Sequence, residues 1–277
     1  MKQLWIIAGV TFREAARRKI LWTALVAAAA FLALFATGMH YQVKDAHFTR
    51  IPPMIRYQIL SSLLQVGFYA IDMLAVLMTV LTSVDCLSGE IASSTIHAIA
   101  TKPIHRWQLL LGKWLGFAAM VALYVVLVFS GVVAIGYFIG GVHPRGAVPG
   151  GLLIYLECMV VLTLTFLFGT MFSTLTNGVI VLGLHGIAFI GGWLEQIGSV
   201  TASERLINLG ILSSVIMPTE SIWRRASYVM QSSVARTLDV TPFATRSAPS
   251  ITMMVYATAY LLVGLSLALY RFQQRDL

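Results

Sequence analysis

An all-α integral membrane protein with six transmembrane helices is what this sequence predicts, on three observations. Hydrophobic residues make up 58% of the 277 and charged residues 11%, against about 25% charged in a soluble domain. Mean hydropathy is +0.83. Unbroken apolar runs such as Leu21 to Met39 recur along the chain, and about 20 such residues cross a hydrocarbon core of ~30 Å. A transmembrane β-barrel, built from short alternating strands, would not produce runs of that kind.

The formal net charge of +8 reads as basic residues holding helix ends at the lipid surface rather than as a nucleic-acid face. No long basic run and no basic surface interleaved with aromatics is present. The two cysteines, Cys86 and Cys158, fall at or inside predicted spans and define neither a disulfide framework nor a metal cluster. No cleavable signal peptide is evident, so the first span is expected to be retained.

Taken in order, residues 1–19 are amphipathic. Leu4, Trp5, Ile7, Ala8 and Val10 fall largely on one helical face, and Arg13, Glu14, Arg17, Arg18 and Lys19 gather at the end. The stretch is either a helix lying in the membrane interface or an extension of the first span. Spans are expected at residues 20–39, 60–84, 114–139, 152–175, 179–194 and 251–270, in one transmembrane domain covering 1–277. The basic group before the first span places the N-terminus in the cytoplasm. Ten of the 19 basic residues then fall in cytoplasmic segments and nine outside, so the orientation rests on the first helix. Pro52-Pro53 belongs to an outer loop, and Gly140 to Gly151 forms an outer turn. Ser173 to Gly178 is a short uncharged turn joining spans four and five. Gly183, Gly186, Gly191 and Gly192 in span five permit close helix approach or a kink. Residues 195–250 form an external helical segment. Its Leu206 to Met217 portion is apolar but too short to cross, hence interfacial or re-entrant, and Trp223, Arg224 and Arg225 read as interfacial anchors. The sixth span returns the C-terminus to the cytoplasm.

One polar island, residues 85–113, interrupts the membrane pattern on the cytoplasmic side. Ser93, Ser94 and Thr95 are good helix-starting residues because their hydroxyls accept from free backbone N–H groups. Ile96, Ile99 and Ala100 follow at helical spacing, Pro103 stops the turn, and Lys102, His105 and Arg106 supply positive charge beyond it. This is either a short amphipathic helix parallel to the membrane or an ordinary loop whose basic residues enforce topology.

The island resembles a known pattern. Glu90, Thr95, Pro103, Arg106 and the Gly112-Lys113 pair are similar to the signature of type-2 ABC exporter permeases: a glutamate, a Gly-Thr, a coupling helix, a proline, an arginine, then Gly-Lys entering the third span. FREAARRKIL near the start, the closing RDL and the six-span layout also look like that family. Ser94 stands where the family usually has Gly, and Ala92 and Ser93 where charged residues often follow the glutamate. LSSVIMPTESIWRRAS resembles permeases grouped with the copper-enzyme maturation (nitrous oxide reductase) system. The resemblance implies a membrane subunit of an ABC exporter in the plasma (inner) membrane of a prokaryote. It further implies a coupling helix from Ile91 to Thr101, docked on a separate ATP-binding subunit through Glu90, Thr95, Ile96, Ile99, Lys102, Pro103, His105 and Arg106. Two ATPase copies and a second permease copy, identical or different, are the implied partners. The chain has no G-x-x-x-x-G-K-[ST] loop, so ATP and Mg²⁺ are expected on the partner, and neither a cofactor nor enzymatic activity on this chain.

Asp72, Glu157 and His185 lie well inside predicted spans. A charge at the bilayer centre costs about 2.5–3.5 kcal/mol even on the mildest scale, so such groups face a bundle interior or a pathway. They either line a substrate path or fix helix packing by pairing. Two other classes draw on the same three residues: an ion-coupled secondary transporter and an intramembrane enzyme. No H-E-x-x-H, G-x-S-x-G or paired-carboxylate motif supports the enzyme, and the scattered His97, His105 and His143 lack metal-ligand spacing.

Overall fold

The computed structural model describes residues 2–92, 105–144, 146–231 and 249–274, with backbone alone at 46 and 90–92. Among them every regular element is a helix. In chain order these are α1 (Lys2–Arg17), α2 (Lys19–Lys44), α3 (Ala46–Thr49), α4 (Pro53–Ser83), α5 (Asp85–Ala92), α6 (Arg106–Phe138), α7 (Ala147–Gly169), α8 (Thr174–Thr201), α9 (Glu204–Ile216), α10 (Thr219–Met230) and α11 (Ile251–Gln274). Six are long and apolar enough to cross a membrane: α2, α4 continued into α5, α6, α7, α8 and α11. The protein is a six-helix membrane bundle.

The helices overrun the apolar runs that announce them. Helix α2 continues past Met39 to Lys44, where Asp45 ends it and caps α3 by accepting from the His47 backbone N–H at 2.8 Å. Helix α4 starts at Pro53, not near Leu60. Proline suits the first helical turn, where its missing N–H would have no partner anyway. The α4–α5 stretch, Pro53–Gly89, is 37 residues, roughly 55 Å at 1.5 Å per residue. It must stand out of a ~30 Å core, so the acidic start of the polar island is a helical continuation of the second span. Helix α7 ends at Gly169 and α8 begins at Thr174, which moves the expected turn a few residues earlier.

Helices α4 and α7 form the centre. Their apolar stretches are each 61% buried, against 11% in α2 and 17% in α11. Helix α7 packs on α4, α6, α8, α10 and α11. Helix α1 lies against α6, where Gly112 and Gly116 admit it: a Cβ at Gly112 would come within 2.8 Å of Ile7, and one at Gly116 within 2.7 Å of the Ala8 carbonyl oxygen. Its buried residues are Ala8, Thr11 and Ala15, while Trp5, Ile6 and Val10 stay exposed.

The described part of the expected external helical segment, residues 195–231 and 249–250, is largely helical but packs into the bundle. Helix α8 runs on to Thr201, and the chain reverses through Ala202 at φ 53°, a left-handed conformation uncommon outside glycine. Helices α9 and α10 follow, bent 104° apart at a short break containing Pro218. Their 13 and 12 residues give roughly 20 and 18 Å, too short for either to cross alone. Helix α9 packs along α8, and α10 folds back against α7. Small residues make the α8–α9 contact close: a Cβ at Gly191 would overlap Ser213, and one at Gly210 would meet the Gly191 carbonyl oxygen at 2.7 Å. Gly191 and Gly192 thus act as expected, but Gly183 and Gly186 face open space, with nothing within 4 Å of an added Cβ. The expected interfacial anchors Trp223 and Arg224 are instead 4% and 6% exposed, inside the bundle.

Candidate functional site

The bent pair α9–α10 sits on a buried polar cluster. Asp72 lies midway along α4 and Glu157 midway along α7, and neither is exposed at all. The packing of α4 on α7 makes their carboxyls electrostatic neighbours. No donor of ordinary geometry among the described residues reaches any of the four carboxyl oxygens. Glu220, in the first turn of α10, is the third acid of the group. It is 5% exposed and packs on Gly192 of α8, where any Cβ would overlap it. Cys158 adjoins the same carboxyls and Thr79. Three carboxyls converge in a space without water access, where charge is costly. Among the described residues no set of three or more His, Cys, Asp or Glu side chains is placed to hold a metal ion.

Helix α10 is tied into the bundle by polar contacts despite lying among apolar helices. Gln65 of α4 donates to the Ser227 hydroxyl at 2.7 Å. Arg224 pairs with Glu195 of α8 at 2.8 Å, so the nearest buried cation already has a carboxylate. His185 Nδ1 lies 3.2 Å from the Thr219 hydroxyl. Tyr69 of α4 packs on Trp223, ring centroids 5.2 Å apart. The break after α9 frees the last carbonyls of that helix, and α11 satisfies two of them. Tyr256 donates to the Val215 oxygen and Tyr260 to the Ile216 oxygen, the latter at 3.0 Å. Of the three intramembrane groups singled out from sequence, the structure therefore unites Asp72 with Glu157, while His185 supports the base of α10.

Sequence marks Arg224 only as an interfacial anchor and does not mark Glu220 or Glu195, because all three fall in the expected external segment. The usable signal was Pro218 followed by Thr219-Glu220, a helix start with an acid in its first turn, and Arg224 one turn on from Glu220.

At the opposite end of the bundle, the described flanks of the polar island gather several helix ends. Asp85 at the head of α5 accepts from the Thr174 hydroxyl at 3.1 Å and lies 3.9 Å from Arg18. Arg18 also pairs with Glu14 at 3.1 Å, and Ser88 lies 2.8 Å from Thr174. Beyond the island, Arg106 donates to the Gln273 carbonyl at 3.3 Å, at the end of α11. Two sets of contacts thus join helix ends here: Asp85 and Ser88 tie α5 to Arg18, between α1 and α2, and to the start of α8, and Arg106 ties the start of α6 to the end of α11. Glu90 belongs to α5 by its backbone. Thr95, Ile96, Ile99, Lys102 and Pro103, with most of the expected coupling helix, lie outside the described residues. His105 is exposed at the start of α6.

Residues 5–277 match the family described as ABC-2 family transporter protein. The chain belongs to that family. A curated relative, "Probable ABC transporter permease protein NosY" of Stutzerimonas stutzeri, is 29% identical over 148 residues, 52% of this chain and 49% of that protein. The chain thus spans about half the length of the curated relative it matches. The six helices long and apolar enough to cross a membrane are the layout that the resemblance to this family implies.

Proposed function

We propose that this chain is the permease subunit of an ABC exporter in the plasma (inner) membrane of a prokaryote, with both termini in the cytoplasm. A separate ATP-binding cassette subunit, in two copies, binds ATP and Mg²⁺, and a second permease chain completes the path. The family match over residues 5–277 carries this reading. Helix α1 is its interfacial helix, residues 91–101 its coupling helix, and α9–α10 its outer re-entrant element.

The polar contacts around Asp85 and Arg106 support the mechanism. A push on the island by a closing ATPase pair would reach α4–α5 and α6 directly. Through Asp85–Thr174, Arg18–Asp85 and Arg106–Gln273 it would also reach α8, α2 and α11. Helices α4 and α7 carry Asp72 and Glu157, so tilting them would open or close a polar route past Glu220 and His185. Permease and ATPase co-expressed and reconstituted together provide the test. Ile96→Asp and Arg106→Glu are expected to abolish permease-stimulated ATP hydrolysis while membrane insertion and purification stay normal. Undiminished stimulation in both variants would remove the island from the mechanism.

A second reading, ion-coupled transport, is favoured by one observation: paired carboxyls deep in the bundle, with no other donor among the described residues. It requires substrate movement into vesicles that contain the permease alone under an ion gradient. Movement that needs ATP and the ATPase subunit excludes it.

A further inference from the structure

We propose that the groove between α1 and α6 binds an anionic phospholipid, its phosphate on Arg13 and an acyl chain running along α6. The groove has a volume of about 570 Å³, and Arg13 is the one charged residue in its otherwise apolar lining. Its floor is open because the residues there are small: Ala8 and Gly9 from α1, Gly116 and Ala119 from α6. Tyr155 of α7 closes its inner end and also lines a second groove, of about 490 Å³, between α6 and α7. Val126, Phe129 and Val133 of α6 and Leu152 of α7 wall that second space, whose polar side-chain groups are the hydroxyls of Ser130 and Tyr155. From Leu115 to Val133 the two grooves follow one face of α6 for roughly 27 Å at 1.5 Å per residue, close to the ~30 Å of a hydrocarbon core. The shape is a polar entrance followed by an apolar channel, which is the shape of a lipid.

Charge settles the choice of occupant. Arg13 makes no ion pair or hydrogen bond among the described residues, whereas Arg18, one turn on, is held by Glu14 and Asp85. Among the described residues, the two carboxylates a second copy would bring at this depth are Glu14 and Asp85, both already engaged with Arg18. A lipid phosphate brings a free negative charge to the same place. Helix α1 is suited to present it. Its exposed Trp5, Ile6 and Val10 favour the boundary between head groups and acyl chains, and its seat on Gly112 and Gly116 fixes Arg13 over the entrance. The inference requires the chain to be in a membrane but not the ATPase-coupled mechanism.

The test uses the full-length chain purified in mixed micelles with equal phosphatidylglycerol and phosphatidylcholine of matched acyl chains, retained lipid being read by native mass spectrometry. The wild-type protein is expected to retain phosphatidylglycerol about fivefold over phosphatidylcholine, the selectivity one basic group near an anionic head group provides. Arg13→Gln should remove that preference while leaving total lipid unchanged, and Arg13→Lys should keep it. Gly9→Leu, into space where an added Cβ meets nothing within 4 Å, should reduce retention of both lipids together. Equal retention of the two lipids by the wild type, or an unchanged preference in Arg13→Gln, would overturn the proposal. So would an Ala119→Cys chain that cross-links to a second copy in the membrane, since the groove would then be an interface between copies.

Discussion

At the scale of residues, the decisive fact is that Asp72 and Glu157 are buried against each other with no other donor among the described residues. An amide in place of either carboxyl keeps the shape, removes a possible charge and adds an N–H that the remaining oxygens lack. Asp72→Asn and Glu157→Gln are therefore expected to hold or raise the melting temperature in detergent, and Glu157→Lys to lower the yield of folded protein sharply. A clear loss of melting temperature in both amide variants would mean that a carboxylate charge is structurally required there. Arg224 and Glu195 should behave oppositely. Removing one partner of a buried pair strands the other charge at about 3–5 kcal/mol, so Arg224→Met and Glu195→Gln should each destabilise strongly. Double-mutant analysis by chemical denaturation should find the double variant far less than additive.

At the scale of elements, the α9–α10 pair is held by close approach rather than by its own apolar area. Helix α10 buries Thr219, Glu220, Ser221, Arg224 and Ser227, which hydropathy alone would assign to water. Partners on α4 and α8 make this burial affordable: Gln65, His185 and Glu195 each meet a polar group of α10. Gly191→Val should force α9 away through Ser213 and cost about 1–3 kcal/mol, as overpacking does. Gly183→Ala and Gly186→Ala, on the open side of the same helix, should instead gain up to about 1 kcal/mol from helix propensity. Thermal unfolding of the three variants separates a packing role from a hinge role. If all three destabilise equally, flexibility of α8 is what the glycines provide.

At the scale of the whole molecule, polar groups occupy two levels joined by the central helices α4 and α7. One level holds the Asp85 and Arg106 contacts at the ends of the spans; the other is the carboxyl cluster beneath α10. The proposed orientation predicts that His143→Cys, in the turn between α6 and α7, reacts with a membrane-impermeant maleimide added outside intact cells. Ser173→Cys, between α7 and α8, should react only after permeabilisation. The native Cys86 and Cys158 are both buried, so background labelling should be low, and the reverse pattern would invert the topology.

The sequence by itself determined that the chain is a six-helix membrane protein and that residues 85–113 are unlike the rest. Both follow from local properties: a helix long and apolar enough to cross needs only contiguous residues, and so does an island of charge between two such runs. It also marked Asp72 and Glu157 as expensive, because an unpaired charge within an apolar run is costly whatever the rest of the fold. Only the tertiary structure decided that these two carboxyls meet, since that depends on α4 and α7 becoming central neighbours 85 positions apart in the chain. The same holds for Trp223, Arg224 and Glu195. Polar side chains outside an apolar run read as solvent-exposed, and only a partner from a distant helix, unseen in local pattern, makes their burial stable.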